Sequence, residues 1–261
     1  IRGSEQVQWY HVIQPPAGST DEQTAVLRNA EGTAPLTLEK AVDKKNYASL
    51  FTEAAEVEYT LTPTVGTNSY PLADFTVNDT GLTAYGDSRE LVGYLAGKYS
   101  LKQVKLGKAS HKANVYSDAG NAPINAIVEF KDNSGVVIYS ETVKGVDSIS
   151  ENGSVVTLPE DKGKAAQISV KYESPIFKEA TKTTQRDGYA LGANFVPGTI
   201  TITAEIDQQE GGPGKEAITR INNAADSILH YYKWGPDGKE DTALSEEKDS
   251  SAAEISFSEQ K

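Results

Sequence analysis

Apolar and polar residues alternate with a period of two along most of this chain, a pattern that predicts half-buried β-strands. Alternating or β-branched runs occur at Val7–Ile13, Ala55–Thr62, Asp74–Asn78, Leu101–Leu106, Ile124–Phe130, Val136–Val143, Ser154–Leu158, Ala166–Tyr172, Thr199–Ile206, Ala217–Ile221, Ala225–Tyr232 and Ala252–Phe257. A further strand is expected to end at Lys40, and the one through Asn78 runs into Asp79. Turn signals separate them: Asn133-Ser134-Gly135, Asn152-Gly153, Pro197-Gly198, Gly211-Gly212-Pro213-Gly214 and Pro236-Asp237-Gly238. One helix is expected, capped by Asp87 or Ser88, carrying Leu91, Val92 and Leu95, and stopped at Gly97. Phe177–Gly188 is polar without a period and reads as a long loop.

Many strands at short spacing with Gly, Pro and Asn turns predict an all-β fold, an immunoglobulin-like β-sandwich. The stretch of about 100–195 reads as an enlarged or inserted sheet region. Trp9-Tyr10-His11, Pro15–Gly18 and Thr24-Ala25 near the start are echoed by His230-Tyr231-Tyr232, Gly235–Gly238 and Thr242-Ala243 near the end. The echo suggests that 1–35 are closing strands of a preceding module, or an N-terminal extension, and that 36–261 form one module. The alternative is that 1–35 supply strands to the same domain.

Charge and composition narrow the function. The chain has 261 residues, a net charge of −12 and 38% hydrophobic residues. It is long enough for a sizeable core, and its acidity argues against nucleic-acid binding, which needs a basic face. With no Cys, disulfides and thiolate metal sites are excluded. No apolar run reaches the length of a membrane helix. No signal peptide or Leu-Pro-x-Thr-Gly motif is present; Leu158-Pro159-Glu160 is only a local echo. Any export signal or wall anchor is therefore expected outside this fragment.

Three segments carry a family resemblance. Leu38-Glu39-Lys40-Ala41-Val42-Asp43-Lys44, Glu56–Thr62 and Pro71–Asp79 resemble the Lys-bearing strand, the "Val-x-Tyr-x-Ile" strand and the "Pro-Leu … Val-x-Asp" strand of Gram-positive fimbrial and collagen-adhesin-type stalk domains. Ile221–Ala225 matches the late "Ile-x-Asn-x-Ala" of those modules. The resemblance implies an extracellular, wall-anchored surface protein and a self-formed Lys–Asn isopeptide. By the same resemblance Lys40 is the amine, Asn223 the acceptor and Asp79 the acid. Lys44 and Asn222 are register alternates. Glu58 is a weaker substitute acid, expected to face outward because it alternates with Val57 and Tyr59.

The chemistry asks for burial. A lysine amine is nucleophilic only when neutral, and its ordinary pKa of about 10.4 prevents that. An apolar site lowers it, and the same site favours the neutral form of an acid, which can then polarise an amide carbonyl. Neighbouring strands supply the proximity. The event happens once per molecule, so no enzyme turnover is expected.

Other constellations are weaker. His11, His111 and His230 are far apart in sequence and give no metal motif. Gly211–Gly214 lacks the Lys-Ser/Thr and helix that phosphate binding needs. Asp237–Asp241 lacks the alternating ligands of an EF-hand loop. No cofactor or metal is therefore expected. Trp9, Tyr231, Tyr232 and Trp234 could form a sugar-stacking row, although strand aromatics are more often core. The leading expectation is a stalk module whose partners are neighbouring modules and a host or cell-surface protein or glycan. The rivals are a carbohydrate-binding module and an S-layer or phage shell component.

Overall fold

The strand Ala55–Val65 shows most plainly how sequence dictates structure here. Positions 55, 57, 59, 61, 63 and 65 are buried, while the residues between them face outward or are half-buried. The computed structural model describes residues 36–65, 72–110, 123–173, 195–234 and 240–258. It contains twelve strands in chain order: β1 Leu36–Val42, β2 Asn46–Ala48, β3 Ala55–Val65, β4 Leu72–Tyr85, β5 Tyr99–Leu106, β6 Asn125–Lys131, β7 Val137–Val143, β8 Ser154–Thr157, β9 Gln167–Glu173, β10 Ile200–Ile206, β11 Arg220–Trp234 and β12 Glu240–Ser258.

The strands form an all-β sandwich of two sheets. The five-stranded sheet has the order β1-β3-β10-β5-β8, and the seven-stranded sheet β2-β12-β11-β4-β9-β6-β7. All pairings are antiparallel except the short parallel pair of β12 with β2. Strands from the stretch of about 100–195 are divided between both sheets: β5 and β8 in the smaller, β6, β7 and β9 in the larger. The inward residues of both sheets form one apolar core, including Tyr59, Leu61, Leu101 and Ile202 from one side and Phe75, Val170, Ile221 and Leu229 from the other. Burying a side chain of this size contributes about 1.5–3 kcal/mol.

Local chemistry explains several details. Pro63 faces Leu38 across the β1–β3 pair, where the Leu38 N–H points outward to another partner. The missing proline N–H therefore points to the other side of β3, beyond Ile200, the last β10 residue paired there, and costs no ladder bond. The predicted hairpin at Phe130–Val136 is present as β6–β7. Asp132 Oδ1 accepts from the N–H groups of Ser134 and Val136, and Gly135 takes φ 79°.

The structure corrects three readings. The expected helix after Asp87 is instead a series of tight turns, with bonds from Tyr94 N to Leu91 O and from Lys98 N to Leu95 O. Gly93 and Gly97 adopt φ 79° and 68°, a left-handed conformation that interrupts a helix. Leu91 and Leu95 are nevertheless buried while Val92 is 83% exposed, so the apolar signal was real and its period misleading. Ala217–Ile221 and Ala225–Tyr232 read as two strands; β11 joins Arg220-Ile221 to the second of them, and Ala217–Thr219 precede it. The strand through Asn78 continues to Tyr85 through a bulge at Thr80. Asn, Asp and Gly are weak strand formers, but pairing overrides that preference, with β11 and β9 as far as Asp79 and with β11 from Gly81 on. The strand Val7–Ile13, the loop Phe177–Gly188 and the whole of 1–35 lie outside the described residues.

Candidate functional site

Strand alternation turns Lys40 inward. In β1 the buried positions are Leu38 and Lys40, separated by exposed Glu39. Among the described residues β1 is the edge of the smaller sheet, paired only with β3. Its other edge is met by side chains from β12: Leu38 N–H donates to Asp249 Oδ2 at 2.7 Å, and Lys40 N–H donates to Ser251 Oγ at 3.0 Å. These bonds satisfy an edge that would otherwise invite strand addition. They also press β1 against the other sheet, so the Lys40 side chain has no route to solvent and is 0% exposed.

Asp79 and Asn223 come from the opposite sheet, on the adjacent strands β4 and β11. Asp79 shares the inward face of β4 with Phe75 and Val77. Asn223 lies between inward Ile221 and Ala225 and is fully buried. Asp79 Oδ2 accepts two hydrogen bonds, from Lys40 Nζ at 2.7 Å and from Asn223 Nδ2 at 3.0 Å. Asp79 Oδ1 accepts one from the Gly81 N–H at 3.0 Å. The amine and the amide are thus neighbours because both reach one oxygen. Lys40 Nζ also stands 5.0 Å from the centre of the Tyr59 ring.

Two polar atoms of this region are left without a hydrogen-bond partner, Asn223 Oδ1 and the Tyr59 hydroxyl. A buried group without a partner is costly, which makes each of them informative. Burial holds the Lys40 amine below the ordinary lysine pKa of 10.5, against the opposing charge and hydrogen bond of Asp79. The cluster therefore combines a desolvated amine, a carboxyl group bonded to both amine and amide, and an amide whose carbonyl has no hydrogen-bond partner among the described residues. A half-turn of the Asn223 amide exchanges Nδ2 and Oδ1. It would then offer its oxygen to a proton on Asp79 Oδ2 and draw electrons from Cγ.

Of the residues proposed from sequence, Lys40, Asp79 and Asn223 are brought together. Lys44 is exposed, with Nζ 4.7 Å from the Tyr47 ring centre. Asn222 is half-buried on the other face of β11, and Glu58 is exposed. Sequence reading missed Gly81, Tyr99, Asp249 and Ser251. Only Gly81 carried a signal, as a glycine two residues after an aspartate, and that pair reads as a turn.

The remaining candidates do not assemble. His230 Nδ1 is 2.6 Å from Asp74 Oδ1 and its Nε2 is 3.2 Å from Glu246 Oε2, so both ring nitrogens are taken. His11 and His111 lie outside the described residues. Among the described residues no group of His, Asp and Glu is arranged to hold a metal ion, and no helix is long and apolar enough to cross a membrane. Gly211–Gly214 is a loop with a turn bond from Lys215 N to Gly212 O. Of the proposed aromatic row, Tyr231 is buried at 3% exposure. Trp9 and the side chains of Tyr232 and Trp234 lie outside the described residues, as does Asp237-Gly238. Compared with protein-family models and with curated proteins, the chain matches none.

Proposed function

We propose that this chain is a non-enzymatic module of a bacterial surface stalk, of the adhesin or pilin type, which locks itself with an isopeptide between Lys40 and Asn223. The observation that carries this reading is the enclosed Lys40–Asp79–Asn223 cluster, which joins the two sheets through one carboxylate oxygen. In the reaction, the neutral Lys40 Nζ attacks Cγ of Asn223 while Asp79 protonates the carbonyl oxygen. The new C–N bond forms, a proton from the amine passes through Asp79 to the departing nitrogen, and the old C–N bond breaks as the proton on the oxygen returns to Asp79 and the carbonyl re-forms. Ammonia leaves, and Asp79 returns to its starting state. Proximity and desolvation, both already present, supply most of what such a step needs.

The bond would tie β1 of one sheet to β11 of the other and close a very long loop. A chain-entropy argument borrowed from disulfides gives a stabilisation of about 4–5 kcal/mol. Such a module resists extension and protease and needs no cofactor, which suits a wall-anchored extracellular position between neighbouring modules. A host or cell-surface protein or glycan is the proposed partner of the assembled stalk. The carbohydrate-binding alternative is weakened by the burial of Tyr231.

Intact mass tests the reading. The wild-type protein should be lighter than its sequence by one ammonia, whereas Lys40→Ala, Asn223→Ala and Asp79→Ala should each have their full sequence mass. A wild-type protein at full sequence mass sinks the crosslink.

A further inference from the structure

We propose that Gly81 and Tyr99 are positioning residues for the Lys40–Asn223 crosslink, acting by fixing the plane of the Asp79 carboxylate; the inference rests on the crosslink reading above. Asp79 has two partners on Oδ2 and one on Oδ1. A carboxylate held only through Oδ2 could turn about its Cβ–Cγ bond and offer either oxygen to the amine. The Gly81 N–H on Oδ1 removes that freedom. It aims Oδ2 at the gap between amine and amide.

The backbone that delivers this N–H is unusual. β4 pairs Asp79 with Ala225 and Gly81 with Ala224, so Thr80 is an extra residue in the ladder. The bulge turns the Gly81 N–H back toward the aspartate two residues earlier. Gly81 adopts φ 103°, where a side chain is strained. A Cβ there would also stand 3.0 Å from the Tyr99 hydroxyl and 3.0 Å from the Ala166 carbonyl oxygen. The position thus requires glycine for two independent reasons.

Tyr99 comes from β5 in the other sheet and spans the core to reach this point. Its hydroxyl donates to Ala166 O at 3.3 Å. The hydroxyl and the Ala166 carbonyl it bonds together limit the space beside Gly81. Burial raises the pKa of the Tyr99 hydroxyl, against a backbone hydrogen bond from Leu82. Tyr99 acts on the acid only through Gly81. The amine and the amide come from β1 and β11, and neither residue touches them among the contacts described.

The test follows the crosslinked fraction by intact mass after a short synthesis pulse, over a range of pH. The proteins are wild type, Gly81→Ala, Tyr99→Phe and the double variant. Gly81→Ala should close more slowly by on the order of 10- to 100-fold, as expected when a reacting group is displaced by about an ångström. Tyr99→Phe should slow closure by a smaller factor. The double variant should close no slower than Gly81→Ala alone, because losing the hydroxyl removes one of the two close contacts of the new Cβ while the Ala166 oxygen and the backbone strain remain. The loss should be similar at every pH, since it is geometric. Cooperative melting of each variant, measured in an Asn223→Ala background, separates positioning from unfolding. If Gly81→Ala does not melt cooperatively, Tyr99→Phe decides. A folded variant that closes at the wild-type rate, or a loss no larger than the loss of folded protein, overturns the positioning role alone. A wild type that never loses ammonia overturns the crosslink reading itself.

Discussion

Lys40 Nζ reaches Asp79 Oδ2 at 2.7 Å from the opposite sheet, and both side chains are fully enclosed. Removing an ion pair from water costs several kcal/mol per charge, and the mutual attraction returns that only with good geometry. A stabilising core would be easier to build from apolar residues. The pair therefore fits a chemical role better than a purely structural one.

Removing one partner should expose this cost. Asp79→Ala leaves the amine buried alone and should lose about 3–5 kcal/mol in urea unfolding, beyond any loss of the crosslink. The fair reference is Asn223→Ala, which also cannot close. Lys40→Met combined with Asp79→Leu should recover most of that loss. A double variant as unstable as Asp79→Ala would show that the buried charge is not the source of the penalty.

Stability should depend on pH through Lys40. Its folded pKa lies below the ordinary 10.5, mainly because of burial. Between the two values the unfolded chain holds a proton that the folded Lys40 does not, so stability rises with pH across that window and levels off above 10.5. The Asn223→Ala protein, which retains the free amine, should show this rise in unfolding experiments. Adding Lys40→Met should remove that component. In newly made wild-type protein, closure should not accelerate over the same window, because the proton lost there is the one Asp79 must deliver to the Asn223 carbonyl.

The edge of β1 is held by Asp249 and Ser251. Ser251→Ala and Asp249→Ala should each cost about 1 kcal/mol. Hydrogen exchange should quicken at the Leu38 and Lys40 amides before it quickens in β10 or β11. Uniform exchange across both sheets would mean that β1 does not open separately.

Tyr59 has a hydroxyl with no partner in the core, and so does Tyr172. Tyr59→Phe should stabilise the fold by about 1 kcal/mol, with crosslinking intact, since an unmade hydrogen bond is removed at constant shape. Tyr172→Phe is the matched comparison away from the cluster. Slower crosslinking in Tyr59→Phe alone would give the hydroxyl a part in the reaction.

Strand positions were legible where alternation was clean. Ala55–Thr62 and Thr199–Ile206 fall within one or a few residues of β3 and β10. The sequence was misleading where polar residues face inward. The expected strand through Asn78 stops at Asp79, yet β4 runs on through Thr80 and Gly81 to Tyr85; Ile221–Ala225 lies at the start of β11. Asp79 and Asn223 belong to the buried cluster and Thr80-Gly81 to its bulge, and local propensity cannot see either. Lys40, Asp79 and Asn223 were legible through a family pattern. Gly81 and Tyr99 were not, because their relation depends on a contact between sheets that no spacing encodes. β2 has three residues and pairs through the end of β12, so it leaves no periodic trace.

The position of Lys40 in the first strand, β1, and of Asn223 early in β11 has a mechanical consequence. Once the bond is closed, tension entering at Leu36 travels a few residues, crosses to β11 at Asn223 and leaves along β12. The roughly 180 residues between them, about 600 Å of extended chain, lie outside that path. Pulled from its ends, the closed module would lengthen only by its short outer segments, and most of the polypeptide would feel no force at all.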